Sequence, residues 1–252
     1  MISKNQIKLI RSLEHKKYRL QHNLFVAEGT KTVGDMLGHF NCHGIIATNE
    51  WINQNGNTMP MNVRVDEIDD QTLRKVSFLE HPQQVLAIFE IPSYEMPTMP
   101  DPNSLVLALD GVQNPGNLGT IIRLADWFGI KDIVCSIGTV DAYNPKTVQA
   151  AMGSLSRVRM HYLDLQKLLL NVRGDIPIYG TFLNGDNIYS TDFTPHGVLV
   201  MGNEGQGISP AIEAIVSKRL TIPNFNSGPD AADSLNVAVA TAILCSEFRR
   251  RI

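Results

Sequence analysis

Cysteine is scarce in this chain: Cys42, Cys135 and Cys245 are the three in 252 residues. An odd, widely spaced set implies no disulfide framework and offers no metal-ligand pattern. It fits reduced, buried thiols in a cytosolic protein. Charge of one sign is lacking too. The net charge is −3 and the pI near 6.2, so a global basic field is absent and nucleic-acid binding would need local patches. No apolar run approaches the roughly 18 residues of a membrane span. The first thirteen residues, MISKNQIKLIRSL, have no apolar core of signal-peptide length. None of the seven histidines stands at a catalytic or metal spacing. No GxGxxG opens a helix after a first strand, no glycine run ends in the Lys-Ser/Thr of a P-loop, and no GxSxG elbow occurs. No histidine follows Ser234, so a Ser–His–Asp hydrolase fits poorly.

What the chain does have is punctuation. Pro92, Pro97, Pro100 and Pro102 fall in IPSYEMPTMPDP. Prolines fix φ and remove backbone donors, so residues 92–102 read as an extended linker between domains at 1–91 and 103–252. In the first, Ile7, Ile10 and Leu13 recur at helical spacing behind Ser3 as N-cap. Strands at 24–27, 44–47, 63–65 and 85–89 alternate with helices at 32–37 and 71–76, as in a small α/β/α domain. In the second, SLVLAL at 104–109 reads as a strand buried on both faces. Further strands are expected at 133–135, 158–162, 178–181, 197–201 and 220–222. Helices are expected at 118–128, 145–152, 165–172, 209–216 and 235–249. This alternation predicts a doubly wound, mostly parallel α/β sheet, with ligands beyond the strand ends after Leu109, Met201 and Ile222.

Three polar segments sit at such ends. Asp110–Asn117 is a Gly/Pro loop running into a helix that Asn117 could cap, with Arg123 six residues on. It reads either as a capped βα loop with a solvated arginine or as an anion site. Met201-Gly202-Asn203-Glu204-Gly205-Gln206-Gly207 reads as a tight turn or as a backbone cradle for a ligand. Its Glu204 is either solvated or orients a substrate or an arginine. Ser234-Leu235-Asn236 places Ser234 as an N-cap and Asn236 in the first turn of the last helix.

Together the segments resemble the SpoU (TrmH-type) branch of the SPOUT RNA methyltransferases. That family carries N-x-G-x-x-x-R, G-N-E-G-x-G and I-P…S-L-N-V in this order. Asn144-Pro145-Lys146 and Gly153-Ser154-Leu155-Ser156-Arg157-Val158 match as well, and Leu24-Phe25-Val26-Ala27-Glu28-Gly29 resembles the family's L30e-like substrate-binding domain. The resemblance covers nearly the whole chain. It implies a mostly parallel α/β methyltransferase domain with a deep trefoil knot, a homodimer, S-adenosylmethionine as methyl donor, and a ribose 2′-O-methylated RNA as product. It implies no metal. Carried over, Thr181, Leu183, Gly202, Gly207, Ile222 and Leu235 would hold the cofactor. Asn117, Arg123, Glu204, Ser234 and Asn236 would line the methyl-transfer site. The family proposal makes Arg123 the base; because arginine keeps its proton, an electrostatic role suits it better. The chain departs from the pattern between Pro223 and Ser234, where the loop is lengthened and adds Asp230 and Asp233.

Lys4, Lys8, Arg11, Lys16, Lys17 and Arg19 crowd the N-terminus against Glu14 alone. They read as a phosphate-binding face or as an ordinary solvated helix. Arg249, Arg250 and Arg251 complement a helix end, and Trp127 reads as core or dimer interface. Ribosomal RNA is the preferred substrate, by analogy with enzymes that carry such an N-terminal domain, and transfer RNA is the alternative. A fold-retaining RNA binder without turnover and a nucleotide-dependent enzyme of another class are the competing readings.

Overall fold

The computed structural model describes residues 2–60, 62–95, 104–226 and 232–252. Pro97, Pro100 and Pro102 of the expected linker, and Asp230 of the lengthened loop, lie outside them. The chain divides into two compact units, residues 1–93 with 141–156, and residues 94–140 with 157–252.

In the first unit, α1 (Lys4–Ser12) begins with a capping box: Ser3 Oγ accepts from the Gln6 N–H, and the Gln6 side chain accepts from the Ser3 N–H. A second helix, α2 (Lys16–His22), ends at Asn23 in the left-handed conformation. Then follow β1 (Leu24–Glu28), α3 (Thr30–Met36), β2 (Cys42–Ala47), α4 (Asn49–Asn55), β3 (Val65–Glu67), α5 (Asp70–Val76) and β4 (Val85–Glu90). The sheet order is β1-β4-β2-β3, antiparallel except for β2 with β3. Ile10 and Leu13 pack with Val26, Ile46, Leu73 and Leu86 in one apolar cluster. The short helices α2 and α4 carry no long apolar stripe, so periodicity does not announce them.

The second unit builds on β5 (Leu105–Leu109), α6 (Pro115–Trp127) and β6 (Asp132–Ser136). The chain then departs: Asp141–Ser156, with α7 (Pro145–Ala151), belongs to the first unit. It returns as β7 (Arg159–Leu163), α8 (Leu165–Val172), β8 (Ile178–Asn187), β9 (Gly197–Met201), α9 (Pro210–Glu213), β10 (Lys218–Thr221) and α10 (Val237–Arg249). The six strands run parallel in the order β10-β8-β9-β5-β6-β7. Every residue of β5 and β9 is buried, as continuous apolar strands require. Val106 and Ala108 pack with Val198, Val200 and the buried sides of α8 and α9, while α6 and α10 pack together.

Arg19 corrects the sequence reading. It is 1% exposed, because it fastens residues 141–156 within the first unit. Its Nε and Nη2 donate to Asp141 Oδ2 at 2.9 and 2.6 Å. Its Nη1 donates to the Leu13 and Glu14 carbonyls at 2.7 and 2.8 Å, so four of its five N–H donors are engaged inside the fold and the buried group does not face a phosphate. Asp141→Asn is therefore expected to lower unfolding stability by about 1–3 kcal/mol, the cost of an ill-matched buried donor set. Urea titration reads this directly. An unchanged midpoint would show that Arg19 finds other acceptors.

Candidate active site

Parallel strands bring their C-terminal ends to one edge of the sheet, where loops can surround a ligand. There the second unit holds a cavity of about 770 Å³, within the range of small-molecule sites. Thr181, Leu183, Gly202, Glu204, Gly207, Ile222, Ser234 and Leu235 all line it. Its chemistry is mixed. Leu183, Leu220, Ile222, Leu235 and Leu244 give apolar surface, while Asn184, Asn203, Glu204, Glu213 and Asp233 give amides and carboxylates. Such a lining suits a ligand with a flat apolar part, hydroxyls and positive charge, and S-adenosylmethionine has all three.

The 202–207 loop is closed tightly. Asn203 and Gly207 exchange both backbone hydrogen bonds at 2.9 Å. A β-carbon on Gly202 would stand 2.2 Å from the carbonyl carbon of Gly207, so no side chain fits there without opening the loop. Asn203 is the pivot that motif reading passes over. Its Oδ1 accepts from the Gly205 and Gln206 N–H groups, and its Nδ2 donates to the Gly111 carbonyl at 2.7 Å. The available signal was an Asn between glycines, a residue suited to bonding its own loop.

All three motif segments meet in one directed chain of hydrogen bonds. Asn236 Oδ1 accepts from the Ala238 and Val239 N–H groups and caps α10. Asn236 Nδ2 donates to Asn117 Oδ1 at 2.9 Å, and Asn117 Nδ2 donates to Glu204 Oε1 at 2.9 Å. The Glu204 carboxylate also accepts from the backbone N–H groups of Gln113 and Asn114, at 3.1 and 3.2 Å. Burial pushes the Glu204 carboxyl up, but the bonds from Asn117 and the backbone outweigh it and hold the group below its usual value. Glu204 thus stays an acceptor and is a poor proton carrier near neutrality.

Three sequence assignments need correction. The cap of α6 is Asn114, whose Oδ1 accepts from the Gly116 and Asn117 N–H groups, and Pro115 takes the first helical position. Asn117 is released for the network. The cap of α10 is Asn236, with Ser234 two residues ahead of that cap and exposed on the cavity wall. Trp127 is 84% exposed, which removes it from the core.

Arg123 does not join the network. Six residues along α6 turn it about 120° away from Asn117, onto an exposed stripe with Thr120 and Trp127. No described carboxylate pairs with it. Lys4, Lys8, Arg11, Lys16 and Lys17 are exposed on α1 and α2, although Arg11 already donates to the Ser77 carbonyl and lies over the Phe78 ring. The C-terminal arginines serve the fold. Arg249 donates to the Phe128 carbonyl, Arg250 pairs with Glu247, and Arg251 reaches the Thr191 and Ile188 carbonyls. Among the described residues, no three His, Cys, Asp or Glu side chains gather as a metal site, and no helix is long and apolar enough to cross a membrane.

Comparison with known proteins gives this geometry its kin. Residues 104–246 match the model of the SpoU rRNA methylase family, and residues 4–87 match an MRM3-like substrate binding domain. The Bacillus subtilis 23S rRNA (guanosine(2553)-2′-O)-methyltransferase RlmP is 32% identical, covering 98% of this chain and 97% of that protein. A TrmH-family structure from Porphyromonas gingivalis is 42% identical over the full length of both chains, with a TM-score of 0.87. An AdoMet-bound rRNA methyltransferase from Sinorhizobium meliloti is 30% identical, with a TM-score of 0.85 over 99% of this chain and 97% of that one. With two family models and a full-length relative in agreement with the motifs and the fold, this chain belongs to the SpoU rRNA methylase family.

Proposed function

We propose that this protein transfers a methyl group from S-adenosylmethionine to a ribose 2′-hydroxyl of ribosomal RNA. The observation that carries the reading is the Asn236–Asn117–Glu204 chain, which joins three distant motifs beside one cavity. Bound in that cavity, the cofactor supplies a methyl group on a sulfonium, already a good electrophile. The protein's task is then positioning. Thr181, Leu183, Gly202, Gly207, Ile222 and Leu235 hold the donor. Asn117, Glu204, Ser234 and Asn236 shape the face at which the 2′-oxygen arrives in line. Held there, the donor would give its methyl group to the 2′-oxygen, the S–CH₃ bond breaking as the O–CH₃ bond forms and the hydroxyl proton passing to solvent. Arg123 steadies the RNA phosphate and the developing charge on oxygen.

The finer architecture belongs to the same proposal. The parallel β10-β8-β9-β5-β6-β7 order suits a chain whose last segments thread a trefoil knot. The mixed four-stranded sheet suits an L30e-like domain presenting Lys4, Lys8, Lys16 and Lys17 to RNA. The half-exposed Val239 and the exposed Trp127, on the paired helices α10 and α6, suit the face of a homodimer. The decisive experiment maps 2′-O-methylated positions in total RNA from cells with and without the protein. One ribosomal position should lose its methyl group. An unchanged ribosomal map with a lost transfer-RNA position would replace the substrate, and no change anywhere would sink the activity.

A further inference from the structure

Strand β8 leaves its sheet midway. Arg219 of β10 pairs with Gly180 of β8, and the next β10 residue, Leu220, pairs with Asp186. Residues 181–185 are therefore thrown out of the ladder, and Thr181, Phe182, Leu183 and Asn184 from this excursion form a wall of the cavity. A wall outside the regular ladder must be ordered by other contacts, or its ordering is charged to the ligand that binds it.

Arg219 supplies those contacts. Its guanidinium lies 3.7 Å from the centroid of the Phe182 ring, and Phe182 packs inward against the apolar core. Its Nη2 donates to Asn184 Oδ1 at 2.8 Å, its Nε donates to the Asn184 carbonyl at 3.3 Å, and its Nη1 pairs with Glu213. Thr221 Oγ1 adds a bond to the Leu183 carbonyl at 3.2 Å. At the return of the excursion, a β-carbon on Gly185 would stand 2.9 Å from the Arg219 carbonyl oxygen, so the loop is pressed against the strand that clamps it. Each of the three guanidinium nitrogens is engaged, Nε and Nη2 by this wall and Nη1 by Glu213. Arg219 also borders the cavity itself, so ordering of the wall and direct contact with a ligand are told apart by amide exchange in the ligand-free protein.

We propose that Arg219 is a positioning residue that orders the 181–185 wall before the cofactor arrives, and so sets cofactor affinity without taking part in methyl transfer. The proposal rests on the reading that this cavity takes S-adenosylmethionine. Calorimetry with S-adenosylhomocysteine, on the full-length wild type, Arg219→Ala and Arg219→Lys, is paired with hydrogen exchange of the ligand-free proteins. Arg219→Ala should weaken binding about tenfold by removing this preorganisation. It should also speed amide exchange across 181–185 and leave kcat at saturating cofactor within about twofold. Arg219→Lys, which keeps charge but loses the fork and the stacked plane, should bind nearly as weakly, and it serves as the variant if the alanine protein folds poorly. No binding by the wild type overturns both the cavity reading and this proposal. Wild-type binding with exchange across 181–185 unchanged in the variants overturns the clamp alone, whether or not affinity falls.

Discussion

Arg123→Ala is expected to lower methyl transfer to RNA by roughly 10²–10³-fold, the scale of losing one electrostatic donor at a transition state, with S-adenosylhomocysteine affinity unchanged. The separation of the two effects follows from position. Arg123 lines neither the cavity nor the Asn236–Asn117–Glu204 chain, and it stands exposed on α6 without a described partner. The exposed side chain has no described partner to lose, so its removal should not loosen the fold. A guanidinium holds its proton at all working pH values, which leaves phosphate binding and charge stabilisation as its chemistry. Arg123→Lys should recover part of the rate, because charge survives and the planar fork does not. Single-turnover rates at saturating cofactor decide the matter. A rate equal to wild type in the alanine variant removes Arg123 from the site, and a loss of cofactor binding would move it into the cavity.

Most regular elements were legible because burial on parallel strands writes itself as unbroken apolar runs, as in Leu105–Leu109 and Gly197–Met201. Part of the cavity lining, Gly202, Glu204, Gly207, Ile222, Ser234 and Leu235, was legible through motif order. What escaped depended on partners distant in sequence. Arg19 looked like its cationic neighbours until Asp141, far along the chain, claimed its fork. Ser234 and Asn236 are both good caps, and their choice turns on Asn236 reaching Asn117 on another helix. The expected helix at 209–216 shortens to Pro210–Glu213 because the chain must turn into β10. The expected strand at 178–181 extends to Asn187 because β10 pairs with it again beyond its excursion. No local pattern encodes that second pairing, and the role of Arg219 depends on it.

Glu204→Gln is expected to cost about 10²-fold in methyl transfer and about 1 kcal/mol in stability. The second figure is modest because water reaches this exposed carboxylate. The side chains are nearly the same size, so the effect isolates hydrogen-bond polarity. Both oxygens of Glu204 accept: Oε1 from Asn117 and Asn114, and Oε2 from Gln113. A glutamine keeps one acceptor and turns an NH₂ toward a backbone N–H or toward the Asn117 amide. At the other end, Asn236 is fixed because its Oδ1 caps α10. The Asn117 amide therefore has one consistent orientation with a carboxylate at 204 and loses that constraint with an amide. The pH dependence follows from the lowered Glu204 value. A carboxyl whose folded value is depressed stabilises fully above its unfolded value, about 4.3, and that contribution fades as pH falls through the lower folded value. The stability gap between wild type and Glu204→Gln should thus be constant from neutrality down to about pH 5 and close in stronger acid. Urea titrations of both proteins across that range measure the gap. A gap that persists undiminished into acid, or a variant as active as wild type at pH 7, would show that the carboxylate charge does not orient Asn117.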